Sequence, residues 1–178
     1  MGKKKNQGGT ALNDRIAKQP LAGFDRAIAR AMTPDACWQA LERLAAELAG
    51  YKLFTVMTVD LSADVARRDY SSDPAAYPVS GTKPIQHDRW FEIVHQQHKT
   101  FVANTLADIA TVFPDHEKIG ALGCGSVVNL PVVLSGELSA TINMLHEAHY
   151  YSPERVAMIE NDLSVPAKLA LLAARTLA

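Results

Sequence analysis

Apolar residues near the start of the chain recur at helical spacing. Across residues 12–32 they lie three or four positions apart, but Pro20 and Gly23 interrupt the run. We therefore predict a short helix, a break, and a second helix that ends near Ala31. Residues 1–11 are basic and glycine-rich without such spacing, so we expect a disordered tail ahead of this helical extension.

The next segment predicts a helix and then a β-hairpin. Thr33 can cap the start of the helix, and Pro34 suits its first turn. Apolar residues then follow one helix face until Gly50, where the helix should end. Residues 53–60 are rich in β-branched and aromatic side chains, which is typical of a strand, and residues 65–70 fit its hairpin partner.

The middle of the chain alternates short helical and extended segments. Residues 77–81 fit an irregular or edge segment, because they contain proline and glycine. Residues 87–94 predict the start of a helix with apolar side chains on one face, and residues 100–104 predict a short strand. Residues 105–121 predict short helices and loops, because Pro114 interrupts them.

Two strands and a long helix follow. Residues 126–133 and 138–146 predict the strands, and residues 135–137 suit a hairpin turn between them. Ser152 can cap a helix rich in alanine and leucine, which Pro166 should kink or divide. This order of elements predicts an α+β fold with a central, mostly antiparallel sheet, helices on one face and loops over the other. Loops over a free sheet face leave room for a ligand pocket.

Composition and charge narrow the class of protein. The chain has 178 residues, of which 48% are hydrophobic, and a formal net charge of -1. This size fits one domain with extensions. A nucleic-acid binder usually has an excess of basic residues, which this balanced charge does not show. We therefore interpret Lys3–Lys5 as a solvated tail. No apolar run reaches the roughly 18 residues of a membrane span. Two cysteines cannot form a disulfide framework, so we expect a reducing, cytoplasmic location.

The last predicted hairpin resembles the pattern of a known family. Residues 119–132, which contain Gly-Cys-Gly-Ser-Val-Val-Asn-Leu-Pro, and residues 136–146 together resemble the closing hairpin of GAF domains, with Ser139 where that family usually has glycine. Four further segments occur in that family's order: Trp90-Phe91, Phe101–Asn104, Phe113–His116 and Tyr151–Glu154. The resemblance covers residues 33–178.

The resemblance implies a sensory domain with a GAF-like (PAS/profilin-like) fold, in which helices lie behind the sheet and a small-molecule pocket lies in front. It implies one such domain over residues 33–178, after the helical extension of residues 12–32 and the tail of residues 1–11. These domains usually accompany an output module, and the sequence shows none, so we expect a small organic ligand and a separate signalling partner. Terminal helices in this family commonly bundle across a two-fold axis, which implies a homodimer.

Polar residues on the predicted strands are candidate ligand contacts. Asn129, Thr141 and Asn143 lie in phase on one sheet face among apolar neighbours, as expected of the few polar groups in a ligand pocket. We expect the walls and mouth of this pocket to come from Tyr70, Trp90, Phe113, Asp115 and His116. In the alternative interpretation, the asparagines satisfy backbone groups of loops and Trp90 belongs to the core.

Cys124 supports an alternative, enzymatic hypothesis. It lies between two glycines ahead of a strand, where a thiol with a lowered pKa would act as a redox or nucleophilic group. Free-standing GAF proteins that reduce free methionine sulfoxide use such a cysteine with resolving cysteines nearby, whereas Cys37 is the one other cysteine here. We favour a small residue fitted into a tight turn. A binding domain is thus the main hypothesis, and a thiol-dependent enzyme or a dimer scaffold are the alternatives.

Histidine pairs at i, i+3 spacing raise the question of a metal site. His95 and His98 form one pair, with Glu92 before them, and His146 and His149 form another. Ligands three residues apart spread around a helix, and neither pair resembles the spacing of a tight zinc site. We therefore expect no metal and no cofactor.

Overall fold

The structure is a computed structural model that describes residues 19–79 and 81–178. The tail predicted for residues 1–11 and the first part of the predicted extension lie outside the described residues. Residues 19–28 form a helix, α1, which continues through Gly23, so the break predicted at that residue is wrong. Pro20 is the second described residue of α1, and a break ahead of it lies outside the described residues. Glycine costs a helix about 1 kcal/mol, and burial of the neighbouring Phe24 against the core offsets that cost.

A six-stranded antiparallel sheet forms the centre of the molecule. Its strands are β1 Leu53–Asp60, β2 Val65–Ser71, β3 Thr82–Pro84, β4 Phe101–Ala103, β5 Ser126–Leu134 and β6 Glu137–His146. Their spatial order is β3-β2-β1-β6-β5-β4. A two-residue turn joins β5 to β6, and both Ser135 and Gly136 have the positive φ angles that such a turn requires, 54° and 83°. The predicted hairpin is confirmed.

Helices cover both faces of the sheet. They are α2 Pro34–Leu48, α3 Arg89–Phe91 with a π-helical turn Glu92–Gln96 directly after it, α4 Leu106–Ala110, α5 His116–Ala121 and α6 Pro153–Thr176. The predicted N-caps are present, since the Thr33 hydroxyl accepts from the backbone N–H of Ala36 at 3.2 Å and Ser152 accepts from Arg155 at 3.4 Å. None of the helices in the described segments is long and apolar enough to cross a bilayer.

The long helix α6 continues through Pro166, so the predicted division there is wrong. A proline inside a helix costs about 3 kcal/mol, because it removes one backbone hydrogen bond and crowds the preceding turn. Pro166 is buried with Leu163, Ala167 and Ala170 on the inner face of α6. Packing of this face therefore holds the helix together across the proline.

The sheet separates two cores. The larger core lies between the sheet and α1, α2 and α6, and its fully buried side chains include Leu41, Phe54, Ile142, Met144, Ile159 and Leu163. The smaller core lies on the opposite face, under α3, α4, α5 and their loops, and includes Val94, Ile109, Ile119 and Val127. The predicted α+β class, with long helices behind an antiparallel sheet, is confirmed.

Candidate ligand-binding cavity

A cavity of about 530 Å³ lies between the sheet and the short helices that cover it. This volume is within the range of small-molecule sites in proteins. Strands β1, β5 and β6 form its floor, and β2, β3, α3 with its π-helical turn, and the segment between α4 and α5 form its walls. The sequence-predicted residues that line it are Trp90, Phe113, Asp115, Asn129, Thr141 and Asn143.

A wider depression of about 910 Å³ lies near the turn between β1 and β2 and the end of α6. Exposed charged residues such as Asp60, Arg67 and Arg175 are prominent in its lining. The cavity over the sheet floor is lined instead by apolar and aromatic side chains with a few polar groups, which is the usual character of a small-molecule site. We therefore take the smaller cavity as the candidate site.

A chain of side-chain hydrogen bonds crosses the cavity floor. The Trp90 indole N–H donates to Asn129 Oδ1 at 3.0 Å, Asn129 Nδ2 donates to Asn143 Oδ1 at 2.7 Å, and Asn143 Nδ2 donates to Thr55 Oγ1 at 3.2 Å. The three strand residues form one cross-strand row, because Asn143 pairs with Thr55 on one side and with Asn129 on the other. Each amide has two N–H donors, and this chain uses one of each.

The floor polar groups are buried. The exposed fraction is 5% for Thr55, 3% for Asn129, 1% for Thr141 and 8% for Asn143. Buried amides need hydrogen-bond partners, and the row supplies some of these within the sheet. The two asparagines therefore form a hydrogen bond with each other rather than with the loop backbone. The second N–H group of each amide has no partner in this row and remains available to a ligand.

The start of α3, which is fixed by a capping residue, determines where the Trp90 side chain lies. The Asp88 carboxylate accepts from the backbone N–H of Phe91 at 3.0 Å and so caps α3. The π-helical turn follows directly. The ring of Phe91, at the end of α3, stacks on the His95 ring of this turn with centroids 4.3 Å apart. This short helical segment places the Trp90 indole over Asn129, and both rings of the stacked pair line the cavity.

A β-bulge decides which residues of β2 face the cavity. Val56 of β1 pairs with Tyr70 and Met57 pairs with Arg68, so Asp69 is the extra residue between them. A bulge of this kind re-aims the side chains on either side of it. Arg68 lies beside Met57 on the cavity face, whereas Tyr70 lies beside Val56 on the helix face.

Tyr70 therefore does not contribute to the cavity wall. Its hydroxyl donates to Glu42 on α2, which also accepts from the Tyr51 hydroxyl at 2.6 Å. Burial, together with the hydrogen bond to Glu42, raises the pKa of Tyr70 above its ordinary value. Tyr70 thus ties the sheet to α2 on the face opposite the cavity. The bulge accounts for this position, because regular alternation would place Tyr70 on the same face as Arg68.

The mouth of the cavity is built around Tyr77 and Asp115. The Tyr77 hydroxyl donates to Asp115 Oδ2 at 2.8 Å, and burial followed by this contact raises the pKa of Tyr77. The Lys118 ammonium lies over the Tyr77 ring, 4.5 Å from its centroid. His116 was expected here, but it lies outside the lining, with Nδ1 3.2 Å from the Phe113 carbonyl oxygen.

Several cavity residues were not anticipated from the sequence. They are Thr55, Arg68, Tyr77 and His95. Thr55 was detectable in principle, since it is the polar residue in the otherwise apolar run of residues 53–57. Arg68 and His95 carried no such signal, because a charged residue in a strand and a histidine in a helix are both ordinary surface residues.

Cys124 lies outside the cavity lining and is buried in the smaller core. Burial raises the pKa of its thiol, although the nearby Lys52 ammonium acts in the opposite direction. Cys37 is buried in the larger core, on the other side of the sheet. This environment favours a protonated thiol without a resolving partner, in contrast to the exposed, low-pKa cysteines of thiol enzymes.

The histidine pairs do not assemble a metal site in the part of the chain that the structure describes, where no group of three or more metal-ligating side chains comes together. His95 stacks on Phe91, and His146 stacks on Tyr150 with ring centroids 3.5 Å apart. Both rings serve as packing groups.

Comparison with known proteins bears on the fold. No family model matches the chain, and no curated protein matches its sequence. Solved structures do match. The GAF domain of a two-component sensor histidine kinase from Bacillus halodurans is 12% identical, covers 82% of this chain and 98% of its own, and has a TM-score of 0.66. The GAF domain of a phosphoenolpyruvate-protein phosphotransferase from Coxiella burnetii is 15% identical, covers 92% and 97%, and has a TM-score of 0.64.

A third match is an enzyme. The free methionine-R-sulfoxide reductase from Neisseria meningitidis, solved in complex with its substrate, is 15% identical, covers 100% of this chain and 99% of its own, and has a TM-score of 0.62. At these identities the likeness concerns backbone architecture and not chemistry. The six-stranded antiparallel sheet with flanking helices matches these neighbours, and the chain has a GAF-like fold.

Proposed function

We propose that the protein is a small-molecule-binding sensory domain that acts through a separate signalling protein. The observation that carries the proposal is the covered cavity. Its apolar walls surround a floor on which Asn129 and Asn143 each have one N–H group without a partner in the row. Structural neighbours in a sensor histidine kinase and in a methyl-accepting chemotaxis protein support the sensory role. The free thiols of Cys37 and Cys124 agree with a reducing, cytoplasmic setting.

Ligand binding would act on the elements that cover the cavity. Trp90 and Phe113 come from two separate short segments, and a ligand that touches both would hold these segments together over the floor. The floor residue Thr55 lies between Phe54 and Val56, which pack into the core under α2 and α6. A ligand shifts such an equilibrium only by binding one arrangement more tightly than the other. We propose that the closed arrangement changes the packing of the long helices.

The outer face of α6 supports the proposal of a homodimer through terminal helices. Val165, Leu169 and Leu172 are exposed and lie four and three residues apart, so they share one face of the helix. The inner face of α6 is already buried, which makes the helix apolar on two sides. A second copy of the chain would cover the outer face.

The dimer proposal is tested by charge substitution on this face. Val165→Glu should convert a dimer of the wild-type protein to a monomer, because it places a carboxylate in an apolar contact. Val79→Glu is a matched control, since Val79 is also exposed but lies in the loop after β2. Light scattering coupled to size-exclusion chromatography measures the mass. A monomeric wild-type protein, or a dimeric Val165→Glu variant, would contradict the proposal.

The binding proposal is tested by a thermal-shift screen of the full chain against methionine sulfoxide, purines and aromatic acids. A ligand at about a hundredfold over its Kd stabilises the folded state by about 2.7 kcal/mol, which raises the Tm measurably. Thr141→Val should weaken binding of any hit, because Thr141 lines the floor. Thr176→Val should not, because Thr176 is exposed at the end of α6.

Three outcomes decide this test. Loss of affinity in Thr141→Val alone places the ligand in the cavity and supports the proposal. Equal affinity in both variants, or a screen without any saturable ligand, would contradict it. Consumption of a hit over time, abolished by Cys124→Ser, would instead favour a thiol-dependent enzyme.

A further inference from the structure

Arg68 has an unusual environment for a half-buried cation. Its Nε is buried and has no hydrogen-bond partner within residues 19–79 and 81–178. One terminal nitrogen donates to the Pro78 carbonyl oxygen at 3.3 Å, and the guanidinium carbon lies 5.0 Å from the centroid of the Tyr77 ring. A guanidinium has five N–H donors, so most of the donors of Arg68 are unspent.

The acidic residues at the cavity form no direct ion pair with Arg68 among the described residues. No carboxylate oxygen in the described segments lies within 4.0 Å of the guanidinium nitrogens of Arg68. Asp115 instead accepts from Tyr77, and Asp88 caps α3. Burial lowers the pKa of Arg68, while the nearby Tyr77 and Asp115 act in the opposite direction. A half-buried cation of this kind calls for an anionic partner.

A second cation lies at the same mouth. Lys83 lines the cavity from β3, is exposed, and likewise has no carboxylate within 4.0 Å of its ammonium among the described residues. Among the described residues, neither of these two cations has a direct ion-pair partner, while Asp115 and Asp88 accept hydrogen bonds from Tyr77 and from the start of α3. The free N–H donors of Arg68 and Lys83 can therefore bind an anionic group of a ligand.

The remainder of the lining is apolar and aromatic. Trp90, Phe91 and Phe113 contribute rings, and Met57 and Val127 cover the floor beside the asparagine row. Building on the proposed function, we infer that the ligand is a small organic carboxylate whose charged group is bound by Arg68 while its apolar body lies on the sheet floor. A planar guanidinium matches a carboxylate in a two-pronged hydrogen bond, which suits a single-charge anion.

The test uses matched acids and amides as probes. Phenylacetate is compared with phenylacetamide, indole-3-acetate with indole-3-acetamide, and hexanoate with hexanamide, each by ligand-observed NMR and calorimetric titration on the full chain. We expect the acids to bind at least about tenfold more tightly than their amides, because a carboxylate adds an opposite charge and a second acceptor oxygen to the bond that Arg68 could also donate to an amide. Arg68→Gln should remove this difference and leave the affinity for the amides unchanged.

Arg67→Gln is the matched control. Arg67 is the adjacent residue, is exposed, and pairs with Asp69 through Nε at 2.5 Å, so its loss should leave the preference for acids intact. Arg68→Lys keeps the charge without the planar fork and should retain part of the preference. Thermal melting of each variant checks that it folds.

The outcomes separate this inference from the proposed function. Equal binding of acids and amides to the wild-type protein, or an acid preference that survives Arg68→Gln, would overturn the carboxylate inference while cavity binding stands. Binding of the amides without binding of any acid would also overturn the carboxylate inference and leave cavity binding standing. If no probe in the panel binds the wild-type protein, the inference is overturned, and the metabolite screen described above then decides the proposed function by itself.

Discussion

Phe54 and Val56 face the helices, whereas Thr55 between them faces the cavity. The same alternation occurs on β6, where Ile142 packs under the helices and Asn143 lies on the cavity floor. The sheet face under α2 and α6 is thus apolar along the central strands. The cavity face of the same strands carries buried Thr and Asn side chains. One sheet supports a closed core on one side and a partly polar, incompletely filled space on the other.

This difference shows how the molecule divides stability and binding between the faces of one sheet. Close packing of large apolar side chains contributes most of the stability of a domain. Buried polar groups and an unpaired cation contribute little or act against it. The cavity side can therefore hold groups suited to a ligand, because the larger core on the other side keeps the chain folded.

The largest expected effect comes from neighbouring residues of β6 that face opposite ways. Ile142→Ala should lower the free energy of unfolding by about 2–5 kcal/mol, because it leaves a void in the larger core. Thr141→Val keeps the volume and faces the cavity, so its effect should be within about 1 kcal/mol. Equilibrium unfolding in urea measures both. Similar losses for the two variants would remove the distinction between the faces.

A smaller effect of opposite sign is expected at Arg68. Arg68→Met replaces a half-buried, unpaired cation with an apolar side chain, so it should raise the free energy of unfolding by about 0.5–1 kcal/mol without ligand. Arg67→Met, beside it on the exposed side of β2, should change stability by less than about 0.5 kcal/mol. The same urea experiment applies. A marked destabilisation by Arg68→Met would mean that this side chain supports the fold.

The smallest effect concerns pH. Burial, followed by the nearby His98 and His87, lowers the pKa of His95 below its ordinary value. The unfolded chain therefore takes up a proton on this residue before the folded protein does, so stability is complete above pH 6.5 and declines as pH falls below it. His95→Gln should reduce the loss of unfolding free energy between pH 7.5 and pH 5.5. An unchanged pH dependence in the variant would contradict this role.

Much of the fold follows from local sequence patterns. The strands β5 and β6 and their turn were predictable because a two-residue period and a Ser-Gly pair leave few alternatives. The period of β5 and β6 also placed Asn129, Thr141 and Asn143 on one face, where the structure finds them. N-cap residues located the starts of α2 and α6.

The rest depends on contacts that a single segment does not reveal. The bulge at Asp69 places Arg68 and Tyr70 on opposite faces of the sheet, whereas regular alternation would place both on one face. Helices α1 and α6 continue through residues that usually break helices, because burial compensates. His116 begins the short helix α5, whose direction depends on packing against the rest of the chain. The spacing of residues in the sequence therefore could not predict that His116 lies outside the cavity lining.

The indole of Trp90 can donate a hydrogen bond but cannot accept one. This single fact orients the whole floor: Asn129 must turn its oxygen toward Trp90, so its nitrogen faces Asn143, whose nitrogen in turn faces Thr55. No amide in the row can reverse without its neighbours, and each oxygen is already an acceptor. The floor therefore has a fixed polarity, in which the second N–H group of each amide is a donor left for a guest. A molecule with a ring nitrogen, carbonyl or ether oxygen above the asparagines can accept from these N–H groups without reversing any amide of the row.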